Sequence, residues 1–164
     1  MNPPAYIALG SNLGLSREIL LEAMERLQQL SSTPIVRSSL WRSSPVGCPP
    51  GSPDFINAAV QITPVSASPE ELLGQLQSLE REFGRRPKLV LNEPRPLDLD
   101  LIAWGSETRA TAQLTLPHPR AHLRKFVLAP LAEIAPGLVL PNQAQPAAHL
   151  LNKLRSEEAI QRLA

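Results

Sequence analysis

Phe55-Ile56-Asn57-Ala58-Ala59-Val60-Gln61-Ile62, followed by Ser68-Pro69-Glu70-Glu71-Leu72 and a helical run to Gly84, is the stretch that decides the fold. In the first run Ile56, Ala58, Val60 and Ile62 recur with period two and share one face, with Phe55 and Asn57 on the other, as in a strand. In the second, Ser68-Pro69-Glu70-Glu71 is a capping box with proline at the first helical position. Leu72, Leu76, Leu79 and Phe83 then make one buried stripe, and Gly84 is a C-terminal stop.

Working outward, Ala5 to Leu9 reads as a buried strand, and Gly10 to Gly14 as a turn. Ser16 is a candidate N-cap, with Glu18 placed favourably in the first turn. The stripe Leu20, Ala23, Met24, Leu27 and Leu30 predicts a helix to about Leu30. Ile35 to Arg42 reads as a strand, and Ser43 to Pro53, rich in proline and glycine, as a loop. Beyond Gly84 a loop from Arg85 to Pro96 leads into a strand over Leu97–Trp104. The order β-α-β-β-α-β is the ferredoxin-like plan, an α+β fold with helices packed on an antiparallel sheet. C-terminal additions are predicted as a short strand near Leu114–Leu116, a helix over Arg124–Ile134, and a helix from about Ala147 that closes the chain.

Bulk properties set bounds. The chain has 164 residues, 43% hydrophobic and 19% charged, suiting one domain with a single core. A net charge of +1 gives no global field toward nucleic acid or anionic membrane, so any cationic site is local. One cysteine, Cys48, makes no internal disulfide and favours a reducing compartment. The start MNPPAYIALGSN lacks the basic region and apolar run of a secretory signal. FVLAPLAEIAPGLVL is interrupted by Pro130, Glu133 and Pro136, so it does not span a bilayer. The expectation is a cytoplasmic protein.

Arg95-Pro96-Leu97-Asp98-Leu99-Asp100-Leu101 carries the chemistry. On a strand Asp98 and Asp100 fall on one face, and the three leucines on the other. Two solvated aspartates and a divalent-cation site both fit that spacing. Magnesium suits such a pair, since it takes one or two carboxylates and completes its octahedron with phosphates and waters. The preceding residues Arg81, Arg85, Arg86, Lys88 and Arg95 tip the reading toward a metal–polyphosphate site. One charge pair at about 4 Å and an effective dielectric of about 20 is worth about 4 kcal/mol before desolvation, and arginine grips phosphate bidentately. His118 and Arg124 are further phosphate donors. His118 and His122 are spaced as zinc ligands, but Pro119 and the lack of a third ligand argue against zinc. His122 and His149 are read as structural. Phe55 and Asn57 form a candidate wall for a flat heteroaromatic ring. No Walker A motif or dinucleotide fingerprint is present.

Taken in order, these segments resemble the 6-hydroxymethyl-7,8-dihydropterin pyrophosphokinases of folate biosynthesis. The resemblance runs from Tyr6-Ile7-Ala8-Leu9-Gly10-Ser11-Asn12-Leu13-Gly14 through Ser44-Pro45-Val46-Gly47 and Pro53-Asp54-Phe55-Ile56-Asn57. It continues with Gln77, Glu80 and Gly84-Arg85, then Pro94 to Asp100, Leu116 to Arg120, Arg124 and Phe126, and ends at Pro130-Leu131-Ala132-Glu133-Ile134-Ala135-Pro136. It implies ATP as co-substrate and two Mg2+ ions on Asp98 and Asp100. Arg85, Arg95, His118 and Arg124 would hold the phosphates, Arg85 and Arg95 acting in catalysis with the two aspartates. Gln77, Glu80, Leu101 and Thr115 would complete the ATP site. Phe55 and Phe126 would sandwich a reduced hydroxymethylpterin, with Gly10, Asn57 and backbone groups of Ser43, Ser44 and Val46 around it. The loops before Pro53 and Arg95 would act as lids. A monomer without nucleic-acid or membrane partners is implied. The chain departs from many members at Asn92, where tryptophan is common, and at Pro87 and Gln113, where arginine occurs. Two rival readings are a non-catalytic pterin or nucleotide binder and a regulatory module binding a small effector.

Overall fold

The sheet is built on β1 (Ala5–Ser11), whose seven residues are all buried. It lies between β4 (Phe55–Ile62) and β5 (Asp98–Trp104), antiparallel to both. The computed structural model describes residues 1–45, 48–84, 94–156 and 158–163. β2 (Val36–Arg37) and β3 (Trp41–Ser43) both pair with β4, and β8 (Ile160–Arg162) pairs with β3, giving the order β5-β1-β4-β3-β8. A second, two-stranded sheet joins β6 (Arg109–Ala110) to β7 (Thr115–Leu116).

The helices α1 (Ser16–Gln28) and α2 (Pro69–Glu82) cover one face of the sheet. Ile7, Leu9, Ile56, Ala58, Val60, Leu99 and Leu101 meet Leu20, Leu27, Leu72 and Leu76 there. Each fully buried side chain of this kind contributes about 1.5–3 kcal/mol of transfer free energy. α3 (Lys125–Ile134) lies on the other face, where Val127 and Leu131 pack on Tyr6, Ala8 and Ile102. α4 (Ala147–Lys153) packs outside it. The β-α-β-β-α-β plan is therefore present, with α3 added to the opposite face.

Four local departures from the sequence reading have identifiable causes. The strand read over 35–42 is split in two. Arg37 faces Val60 but Trp41 faces Asn57, so this side carries one extra residue. Ser38 bridges the gap: its N–H donates to Ala59 O at 2.9 Å, and its hydroxyl accepts from Ala59 N–H at 2.8 Å. Ser16 is not the cap of α1. Leu15 holds that place without a side-chain cap bond, and the Ser16 hydroxyl is engaged by Ser11 Oγ at 2.8 Å. α1 stops at Gln28 rather than Leu30, in a tightened turn where Leu30 N–H donates to Leu27 O. The last helix does not close the chain: α4 ends at Lys153, and β8 returns to the sheet. In α2, by contrast, Ser68 Oγ accepts from Glu71 N–H at 3.1 Å with Pro69 in the first turn.

Candidate active site

α3 covers only part of its face of the sheet. Toward the C-terminal end of β1 the side chain in the centre shrinks to none, at Gly10. Gly10 faces Asn57 on β4 and Asp98 on β5 in one rung, and Ala8 faces Ala59 and Asp100 in the next. An acidic pair thus stands on one side of Gly10 and an amide with an aromatic ring on the other. A Cβ added to Gly10 would lie 3.6 Å from Asn57 Oδ1 and 3.7 Å from Phe55 Cδ1, so both line the space above it.

The aspartates sit as the alternation demands. Leu97, Leu99 and Leu101 are in the core, and Asp98 and Asp100 are half-buried on the opposite face. Arg95 Nη1 is 3.0 Å from Asp98 Oδ2. Two residues apart on a strand, their backbone positions are separated by about 7 Å of rise, and carboxylates on one face of a strand are ligands of the kind a hard divalent cation takes. Among the described residues no group of three or more His, Cys, Asp or Glu forms an all-protein metal cage.

A bulge brings the next candidate donor, His118, alongside. Tyr6 faces Ala103 while Ile7 faces Leu101, so Ile102 falls in a register shift. Its carbonyl accepts from His118 N–H at 2.8 Å. His118 Nδ1 accepts from Arg120 N–H at 3.2 Å, which places the imidazole proton on Nε2 as a donor. Burial lowers the His118 pKa from 6.5, as do the charges of Arg124 and Arg120, while Asp98 works in the opposite direction. Arg124 lies 5.5 Å from the centroid of the Phe126 ring, over its face.

On the amide side, Asn57 is buried and its orientation is fixed. Its Nδ2 donates to Ser43 Oγ at 2.7 Å and to Trp41 O at 3.4 Å. The remaining oxygen is an acceptor turned toward Gly10. Ser43 therefore contributes its hydroxyl to holding Asn57. Of the Ser44 backbone groups, the N–H donates to Ala159 O at 3.0 Å. The residue before the C-terminal strand takes that donor.

The remaining expected residues divide by position. Gln77 is exposed on α2, and Glu80 is buried one turn later, its Oε2 accepting from Leu99 N–H at 2.8 Å on the outer edge of β5. The Leu101 side chain is in the core, so only its backbone could meet a ligand. Thr115 is exposed on β7. Arg85 and Val46 lie outside the described residues, as do Pro87 and Asn92.

One further residue belongs to the site. Asn12 is buried, its N–H donates to Arg95 O at 3.0 Å, and its Oδ1 accepts from Arg95 N–H at 2.9 Å. Its Nδ2 reaches Pro53 O at 3.4 Å. It ties together the segments entering β4 and β5. In sequence it looks like an ordinary turn asparagine, and no periodicity distinguishes it.

The model of the family described as 7,8-dihydro-6-hydroxymethylpterin-pyrophosphokinase matches residues 6–136. The chain belongs to this family. A relative named 2-amino-4-hydroxy-6-hydroxymethyldihydropteridine pyrophosphokinase, from Haemophilus influenzae, is 46% identical over 139 residues, covering 84% of this chain and 85% of its own length. The relative of the same name in Bacillus subtilis is 43% identical over 135 residues, covering 82% and 79%. Among solved structures, wild-type HPPK-DHPS of Plasmodium falciparum with pteroate superposes with a TM-score of 0.73 at 13% identity, over 93% of this chain and 42% of that one. This structural likeness supports the pyrophosphokinase fold, and this chain spans less than half the length of that two-part protein.

Proposed function

We propose that this protein transfers the terminal diphosphate of ATP to the hydroxymethyl oxygen of 6-hydroxymethyl-7,8-dihydropterin, releasing AMP. It would work as a single-domain cytoplasmic monomer. The observation that carries this reading is the rung Asp98–Gly10–Asn57. Two strand spacings of about 4.8 Å set the carboxylates about 10 Å from the amide, on one open face. That separation lets a flat heterocycle lie at Asn57 and Phe55 while its exocyclic oxygen points toward a polyphosphate held beside Asp98.

Asp98 and Asp100 would hold magnesium, proposed as two ions. When bound, the metal supplies charge neutralisation and orientation of the phosphate chain. Arg95, already beside Asp98, would bind a phosphate oxygen, and so would Arg85. His118 through Nε2–H and Arg124 would take others, with Gln77, Glu80, Thr115 and the Leu101 backbone around the nucleotide. Phe55 and Phe126 would sandwich the pterin, and Asn57 Oδ1 would accept from its ring N–H or amino group. Ser43, Ser44, Val46 and Gly10 would complete that wall. The hydroxymethyl oxygen attacks the β-phosphorus in line. The new O–P bond forms as the bond to the α–β bridging oxygen breaks, the hydroxyl proton passes to solvent, and AMP departs. Positioning supplies most of the acceleration, as no side chain of the described site stands out as a general base.

Calorimetric titration with a non-hydrolysable ATP analogue tests the scheme. Binding should require magnesium in the parent and be lost when Asp98 and Asp100 are both changed to alanine. Equal affinity with and without magnesium would favour a regulatory effector-binding module.

A further inference from the structure

Residues 158–163 lie outside the stretch matched by the family model, and nothing in their sequence suggests a role in the site. In the structure they bridge its two pterin-side walls. One wall is β3 and the residue after it. β8 pairs with β3 through Trp41–Arg162, Arg42–Gln161 and Ser43–Ile160. Ala159 then exchanges two bonds with Ser44: Ser44 N–H donates to Ala159 O at 3.0 Å, and Ala159 N–H donates to Ser44 Oγ at 3.2 Å. The other wall is the start of α3. Glu158 Oε1 accepts from Lys125 N–H at 3.3 Å, between Arg124 and Phe126. A carboxylate at a helix N-terminus satisfies an otherwise orphaned N–H and complements the helix dipole. Leu163 anchors the far end, donating its N–H to Leu40 O at 2.8 Å and packing against the core.

We infer that Glu158 and Ala159 form a clasp that sets the width of the pterin cleft, with Glu158 a positioning residue for Phe126. Consecutive residues hold one wall each, so the Glu158 side chain and the peptide joining it to Ala159 span the distance from Ser43–Ser44 to the α3 N-terminus, while Glu133 ties the other end of α3 to Ser39 and Trp41. Asn57 is held by Ser43 Oγ and Phe126 rides on the first turn of α3. A change in that distance therefore alters ring stacking and edge recognition together. The carboxylates on β5 lie on the other side of Gly10 and are not touched by the clasp. The inference rests on the pterin assignment above.

The test is calorimetric titration of full-length protein with 6-hydroxymethylpterin, at saturating magnesium and non-hydrolysable ATP analogue, and separately with the analogue alone. Glu158→Ala should weaken pterin binding about tenfold and change analogue binding less than twofold. Glu158→Gln keeps an oxygen for Lys125 N–H and should recover most of the loss. Ala159→Pro, which deletes the donor to Ser44 Oγ, should also weaken pterin binding selectively. Circular dichroism and the emission of Trp41, which faces Arg162, check that each variant is folded. A folded Glu158→Ala protein with parental pterin affinity, or with equal losses for both ligands, would overturn the inference. Failure of the parent itself to bind pterin would instead sink the underlying assignment.

Discussion

Asn12 and Arg95 grip one another through two reciprocal hydrogen bonds, Asn12 N–H to Arg95 O at 3.0 Å and Arg95 N–H to Asn12 Oδ1 at 2.9 Å. The pairing is sheet-like but uses a side chain. It starts β5 at the residue that lets the Arg95 guanidinium fold back on Asp98. Asn12→Ala removes the acceptor of a partly buried N–H, which costs about 1–3 kcal/mol. Asn12→Asp keeps that oxygen, but it loses the 3.4 Å contact to Pro53 and places a charge on a buried side chain. Urea melts should show both variants destabilised, and turnover should fall more in the alanine variant because Arg95 is displaced.

Glu80 has a place in the fold itself. Its carboxylate covers the outer edge of β5 at Leu99 N–H, at 2.8 Å. Glu80→Ala should therefore lower stability by about 1–3 kcal/mol, while Glu80→Gln, which keeps an oxygen there, should lose less. Equal melting of the two variants would show that the edge bond contributes nothing.

Gly10 is a space rather than a hinge. A methyl group at Gly10 would make ordinary contacts with Asn57 and Phe55 at 3.6 and 3.7 Å. Gly10→Ala should fold normally and bind pterin a few-fold more weakly. Gly10→Val should fill the cleft and abolish pterin binding with the ATP-analogue affinity retained. Calorimetry with the two ligands separates these outcomes.

Glu133 gives a pH signature. Burial pushes its pKa up, but the Ser39 hydroxyl, the Trp41 indole N–H, the Ser39 N–H and the Arg162 charge together bring it below the usual 4.5. A carboxylate with a depressed folded pKa stabilises fully above its unfolded value, and the contribution disappears as pH falls through the folded one. Stability should thus decline below about pH 4.5, with a shallow slope because the group is exposed and screened. Glu133→Gln should flatten that part of the profile and shift Trp41 emission.

His118 should titrate below the usual 6.5 in the metal-free protein, since burial and the nearby arginines disfavour its cation. Its neutral form belongs to the folded state, so the associated stability is present above the unfolded pKa and lost as pH falls below it. Imidazole resonances followed by NMR should move further down in Asp98→Asn, which removes the opposing charge, and up in Arg124→Ala.

What could be read from the sequence follows physical range. β4 and α2 were legible because period-two alternation and the Ser68 cap are local signals. The facing of Asp98 and Asp100 followed from the leucines between them, which could go only to the core. The β2–β3 bulge was hidden because it depends on Ser38 substituting its hydroxyl for a backbone group across the sheet. β8 was hidden too: Ile160-Gln161-Arg162 is too short and polar to announce a strand, and it exists only because β3 offers an edge. The roles of Asn12 and Ser44 likewise arise from partners distant in sequence, at Arg95 and Ala159.

The most direct measurement is phosphorus NMR of the products formed from ATP, magnesium and 6-hydroxymethyl-7,8-dihydropterin. The account predicts AMP and a diphosphate ester of the pterin in equal amounts, both absent with Asp98→Ala. Formation of ADP with a monophosphate ester, or AMP release that does not depend on the pterin, would contradict it.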